Sequence, residues 1–164
     1  MIRVAALLED KDQTGALGGL LAGVLRPGDA VRLTGELGSG KTTLVRAIAA
    51  GLGADPRSVS SPTFTVIHEY PGRDGLIIVH ADAYRMDPDD DLERARLGWD
   101  EAGSAPTVAL IEWGERFAEG SAGATIRLGH AGETARSFEL DAPVAWGERP
   151  GWGALAAWCA RRRF

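Results

Sequence analysis

Apolar residues recur along this chain with two different periods, and the switches between them mark the elements. Residues 2–8, IRVAALL, predict a first strand. Leu17, Leu20, Leu21, Val24 and Leu25 then recur at helical spacing, with Asp12 placed to cap the helix at its start. Arg26-Pro27-Gly28-Asp29 breaks that pattern with turn residues. Residues 30–34, AVRLT, form a short strand, and a glycine-rich segment follows at once. A helix begins near Lys41 or Thr42, with Leu44, Val45, Ile48 and Leu52 on its apolar side and Gly51 and Gly53 suited to ending it.

Downstream, residues 58–63, SVSSPT, read as a loop and residues 64–70 as a strand. The turn Pro71-Gly72-Arg73-Asp74-Gly75 predicts that residues 76–80 return as a hairpin partner. Residues 87–91, DPDDD, read as a helix start, with acids near the positive end of the dipole. Residues 107–111 predict a buried strand, 124–128 and 137–140 two short strands, and 152–162 a final helix. This alternation predicts one three-layer α/β domain spanning residues 1–164, with a mixed central sheet flanked by helices. A length of 164 residues suits one full core and leaves little room for a second.

Composition narrows the function classes. The net charge of −5 gives no whole-protein attraction to nucleic acid or to an anionic membrane. Any contact with RNA then needs a local patch or a partner. Cys159 is the one cysteine, so no intramolecular disulfide and no cysteine-based zinc cluster can form. No apolar run approaches the length of a membrane span. The first residues, MIRVAALLEDKDQ, do not have the pattern of a signal peptide, so the expected compartment is the cytoplasm. Of the 18 lysines and arginines only Lys11 and Lys41 are lysine. Lys41 falls in the glycine-rich segment, where a compact, flexible point charge has no equal replacement in arginine.

That segment, GELGSGKTT at residues 35–43, meets the phosphate-loop pattern GxxxxGK[ST] through Gly35, Gly40, Lys41 and Thr42. Its glycines permit backbone angles that a side chain forbids and let amides approach an anion. The N–H groups from Leu37, Gly38, Ser39 and Gly40 into the helix then surround the phosphates. Lys41 is expected to reach the β- and γ-phosphates and the Thr42 hydroxyl to ligate Mg²⁺, with Thr43 near the α-phosphate. The order strand, loop, helix is the context of a P-loop NTPase fold, and the expected ligands are ATP and Mg²⁺.

A second carboxylate must help hold the metal, at the end of a strand beside the P-loop strand. Two segments qualify. Residues 76–82, LIIVHAD, end at Asp82, and residues 108–112, VALIE, end at Glu112. The pattern alone does not choose between them, and either acid could simply cap a turn. Trp113 follows Glu112 and could stack on a base or a partner, or be half-buried core.

Taken together these pieces resemble the TsaE family, ATPases of bacterial tRNA threonylcarbamoyladenosine (t6A) synthesis. The resemblance rests on a helix carrying Thr14, the loop GELGSGKTT, Ser61-Pro62-Thr63, His80-Ala81-Asp82-Ala83-Tyr84-Arg85, an acidic stretch leading to Leu97-Gly98, and Ile111-Glu112-Trp113. It covers roughly residues 1–140. It implies Thr42 and Glu112 as magnesium ligands and Asp82 as an acid needed for hydrolysis. It implies a γ-phosphate-sensing role for the Ser61-Pro62-Thr63 segment and a functional role for Trp113, and it sets Thr14 at the border of the nucleotide. It also implies TsaB and TsaD as partners, tRNA met only through that complex, and weak ATPase activity when the chain is alone. Arg85 is a candidate arginine finger, with a surface ion pair as the bland alternative. The C-terminal WGALAAWCARRRF follows no motif of the family. Its three arginines suit a helix end, or could meet tRNA or an acidic surface.

Two other classes compete. A small P-loop kinase would carry an arginine-rich lid, whereas Arg94, Arg96 and Arg116 are spread out. A nucleotide-dependent binding module would deliver a conformation rather than a product.

Overall fold

The computed structural model describes residues 1–60, 67–84, 106–113 and 123–163. Seven strands form one sheet: β1 (Ile2–Leu8), β2 (Ala30–Thr34), β3 (Ile67–Pro71), β4 (Ile77–Asp82), β5 (Thr107–Glu112), β6 (Ala124–His130) and β7 (Arg136–Ala142). Their spatial order is β1-β7-β6-β2-β5-β4-β3. β2 pairs in parallel with β5 and β6, and β4 with β5. The outer pairs β1–β7, β6–β7 and β3–β4 are antiparallel, so the sheet is mixed as expected.

Alternation along the strands explains the layers. One face carries Ala6 and Leu8, Phe138 and Leu140, Ile126 and Leu128, Val31 and Leu33, Val108 and Leu110, and Ile78, all buried. Helices α1 (Lys11–Val24), α2 (Lys41–Gly51) and α3 (Trp152–Ala160) pack on that face through Leu17, Leu21, Leu44, Ile48 and Leu155. Each fully buried leucine or isoleucine contributes about 1.5–3 kcal/mol. The opposite face is apolar only at its β2-β5-β4-β3 end, around Ala109, Ala81 and Ile111. No described helix covers it, so any third layer lies outside the described residues, as does the helix start at residues 87–91.

Glycine sets the distance between α1 and α2. A Cβ on Gly18 would sit 2.3 Å from the Ala47 Cβ, and one on Gly51 would sit 2.6 Å from the Ala22 Cβ. At the end of α2, Gly53 takes φ 98°, and its N–H and that of Ala54 donate to Ala50 and Ala49 carbonyls. These bonds form a Schellman cap, as the glycine predicts.

Several boundaries move. The cap of α1 is Asp10 rather than Asp12: its side chain accepts from the Gln13 N–H at 2.9 Å, and Gln13 Oε1 accepts from the Glu9 N–H at 3.0 Å. This reciprocal clasp satisfies amides that Asp12, inside the first turn, leaves without partners. The last helix ends at Ala160, two residues short of the expected boundary. Arg162 then turns back, its carbonyl accepting from the Leu7 N–H at 2.7 Å and its guanidinium lying 3.9 Å from the Trp158 ring centroid. Arg149, which precedes α3, pairs with the mostly buried Asp29 at 2.6 Å and so ties this end to the start of β2.

Candidate functional site

The parallel pairing of β2 with β5, and of β5 with β4, fixes the chemistry of the site. Leu33 lies in register with Glu112, and Asp82 with Glu112. Both carboxylates therefore end central strands, on the helical face, beside the loop that leaves β2. Trp113 extends β5 by one hydrogen bond, its N–H donating to Leu33 O at 2.9 Å. It then takes φ 58°, a left-handed conformation that costs a non-glycine residue of order 1–3 kcal/mol.

The loop is held by its own glycines. Gly35 has φ 142°, and a Cβ there would come within 2.3 Å of Leu128 O. Gly40 has φ 99° and caps α2 with no side chain, which leaves the first amides of the helix turned outward. Ser39 is buried beneath the loop. Lys41 is 5% exposed, and Nζ donates to Gly35 O at 2.6 Å and Glu36 O at 2.9 Å. It also lies 4.2 Å from the Trp113 ring centroid, a cation–π contact.

Thr42 Oγ1 donates to Glu112 Oε1 at 2.8 Å. The same oxygen lies 2.9 Å from His80 Nε2, and His80 is fully buried. Asp82 Oδ1 accepts from the Tyr84 N–H at 3.0 Å, the bond of a strand-end turn. The Tyr84 and Trp113 rings pack 5.5 Å apart. Behind His80 stand His68 and Tyr70, whose Nδ1 and hydroxyl are 3.1 Å apart; burial raises the Tyr70 hydroxyl above its ordinary value.

A cavity of about 1040 Å³ opens over these groups. Leu37, Gly38, Gly40, Lys41, Thr42 and Thr43 form its floor, and Asp82, Glu112 and Trp113 one wall. Thr14 borders it from α1. Gly35 and Ser39 do not line it; they support the loop from below. Ser61-Pro62-Thr63, Arg85, Leu97-Gly98 and the spread arginines Arg94, Arg96 and Arg116 lie outside the described residues.

Three groups go beyond the sequence reading. The turn between β6 and β7 brings Glu133 and Thr134 to the cavity, and the first residue of β7 brings Arg136, with Arg136 donating to Gly38 O at 3.3 Å and Thr134 to Glu9 O at 3.0 Å. Asp10 and Lys11 at the start of α1 complete that wall. No local pattern marks these residues, because the pairing of β7 with β1 and β6 creates the juxtaposition. His80 had a signal: it stands two residues before Asp82, hence on the same strand face.

The donor set suits a hard cation. Glu112 offers a carboxylate and Thr42 a hydroxyl, the oxygen ligands that Mg²⁺ takes in small number alongside phosphate and water.

Fold and site together define an α/β protein with a complete P-loop beside two strand-end carboxylates. A family model described as "Threonylcarbamoyl adenosine biosynthesis protein TsaE" matches residues 8–138. The chain belongs to the TsaE family. It is 42% identical over 109 residues to the tRNA threonylcarbamoyladenosine biosynthesis protein TsaE of Bacillus subtilis, covering 66% of this chain and 65% of that one. The TsaE protein of Streptomyces coelicolor is 45% identical over 101 residues, 60% of this chain and 66% of its own. The alignments thus span about two thirds of those relatives. Among solved structures, Bacillus subtilis YdiB superposes with a TM-score of 0.66 at 26% identity, covering 98% of this chain and 95% of that one. No described helix is long and apolar enough to cross a membrane.

Proposed function

We propose that this chain binds ATP with Mg²⁺ in the cavity and hydrolyses the nucleotide. It would serve as the ATPase component of tRNA t6A synthesis, acting in the cytoplasm with the TsaB–TsaD pair and meeting tRNA only through that assembly. The observation that carries the reading is the 2.8 Å contact between Thr42 and Glu112 beneath the P-loop. It sets two hard oxygen ligands at the point where the first turn of α2 meets the end of β5.

Position in the cavity and the resemblance to the family together support the following roles. Amides of Leu37, Gly38, Gly40, Lys41, Thr42 and Thr43 receive phosphate oxygens, favoured by the helix N-terminus. Lys41 exchanges the Gly35 and Glu36 carbonyls for the β- and γ-phosphates, while the Trp113 ring backs its ammonium. Thr42 and Glu112 hold the metal. When bound, Mg²⁺ supplies charge neutralisation on the phosphate oxygens. Asp82, one strand further, orients water toward the γ-phosphate, and Thr14 borders the nucleotide from α1. Such transfer needs positioning and charge more than covalent chemistry from the protein.

The test is phosphate release from ATP by the purified chain, alone and with TsaB and TsaD, alongside t6A formation in the reconstituted system. Faster phosphorylation of a nucleoside or other metabolite than hydrolysis of ATP would support the kinase instead. Equal t6A formation with and without this chain would remove the pathway assignment.

A further inference from the structure

His80 stands in mid-sheet with no exposed surface, in register with Leu110 on one side and His68 on the other. An apolar side chain would fill such a place more cheaply than an imidazole. The histidine also carries a cost: its Nδ1 is buried and has no hydrogen-bond partner among the described residues. Among the described residues its one polar contact is Nε2 with Glu112 Oε1 at 2.9 Å. With an ionised carboxylate as acceptor, Nε2 carries the proton and donates.

Packing leaves the ring little freedom to do anything else. The Tyr70 ring lies tilted at 6.3 Å and the His68 ring edge-on at 6.5 Å. The imidazole is thus a fixed donor aimed diagonally across from β4 to β5. Glu112 Oε1 accepts from both His80 and Thr42, while Oε2 has no hydrogen bond among the described residues.

We propose that His80 is a positioning residue: its fixed Nε2–H locks the Glu112 carboxylate against Thr42, so that the two side chains present their oxygens together to Mg²⁺. This deepens the proposed function and rests on it. Partners that hydrogen-bond a metal-ligating side chain from behind set its orientation, and losing one weakens metal affinity.

The test compares His80→Gln with His80→Asn. The glutamine amide nitrogen reaches the place of Nε2 and can donate to Glu112; the asparagine amide reaches only as far as Nδ1. Both put a polar amide in the same core site, and nucleotide affinity in EDTA reports the loss of packing, which is larger for the shorter asparagine. Binding of a fluorescent ATP analogue is titrated with Mg²⁺ and repeated in EDTA. His80→Asn is expected to raise the half-saturating Mg²⁺ concentration about 10–100-fold with nucleotide affinity in EDTA unchanged, and His80→Gln to stay within about 3-fold of wild type. Equal magnesium requirement in wild type and His80→Asn would overturn the inference, as would a glutamine variant no better than the asparagine one. Nucleotide binding by wild type that gains nothing from magnesium would instead overturn the proposed metal site itself.

Discussion

Thr42 and Glu112 are 70 positions apart in the chain and share a hydrogen bond of 2.8 Å. One opens α2 and the other closes β5. Their meeting depends on the parallel pairing of β2 with β5, which brings the P-loop and a strand-end carboxylate to the same edge. If the pair holds Mg²⁺, Glu112→Ala should raise the Mg²⁺ concentration needed for ATP hydrolysis at least about 10-fold, since even partners behind a ligand cost that much. Some nucleotide binding should survive, because the loop amides are untouched. Magnesium titrations of phosphate release check this. Unchanged magnesium dependence would move the metal role to Asp82.

Lys41 is the buried ammonium of the loop, held by two carbonyls and the Trp113 face. Lys41→Ala should cut hydrolysis at least about 100-fold, the scale of losing one preorganised charge at a transferring phosphate. Direct ATP-binding measurements should show loss of productive binding while the melting temperature stays close to wild type. ATP turnover at the wild-type rate would exclude Lys41 from the chemistry.

The glycines of α1 separate propensity from packing. Gly15 faces open space, so Gly15→Ala should stabilise by about 0.5–1 kcal/mol through helix propensity alone. Gly18→Ala gains the same propensity but drives a methyl to 2.3 Å from the Ala47 Cβ, where α1 meets α2. Overpacking of this kind costs about 1–3 kcal/mol, so the net sign reverses. Urea unfolding of the two variants gives the comparison, and a stabilised Gly18→Ala would show that the helices can part freely.

Local pattern and glycine chemistry disclose much of this arrangement. The strand before the P-loop, the helix after it and the apolar β5 ending at Glu112 each follow from residues close in sequence. The resemblance to TsaE adds what periodicity does not, a preference for Glu112 over Asp82 as metal ligand. Hidden from the sequence are contacts made across the sheet. Arg136 reaches Gly38 only because β7 lies between β1 and β6. Arg149 finds Asp29, and Arg162 folds back along β1 at Leu7, through the return of the chain after β7. The Asp10 cap is a subtler case: two aspartates stand two residues apart, and Gln13 decides between them.

The polar half of the sheet supplies a pH signature. Asp141 on β7 sits between Arg3 on β1 and Arg127 on β6, with Arg3 Nε at 2.6 Å from one carboxylate oxygen. Hydrogen bonds from Arg3 and then Arg127 hold its carboxyl at about 2, below the ordinary value of 3.8. A carboxylate depressed on folding adds stability above its unfolded value, and that stability fades as pH falls from about 4 towards 2. Arg3 and Arg127 are 63% and 49% exposed, so solvent screening limits the contribution to about 1 kcal/mol. Asp141→Asn should therefore be less stable than wild type near neutral pH by about that amount, with the gap closing as pH approaches 2. Urea midpoints measured across that range, at low and high salt, test both the sign and the screening. A gap that widens on acidification would mean that folding does not hold the Asp141 carboxyl below its ordinary value.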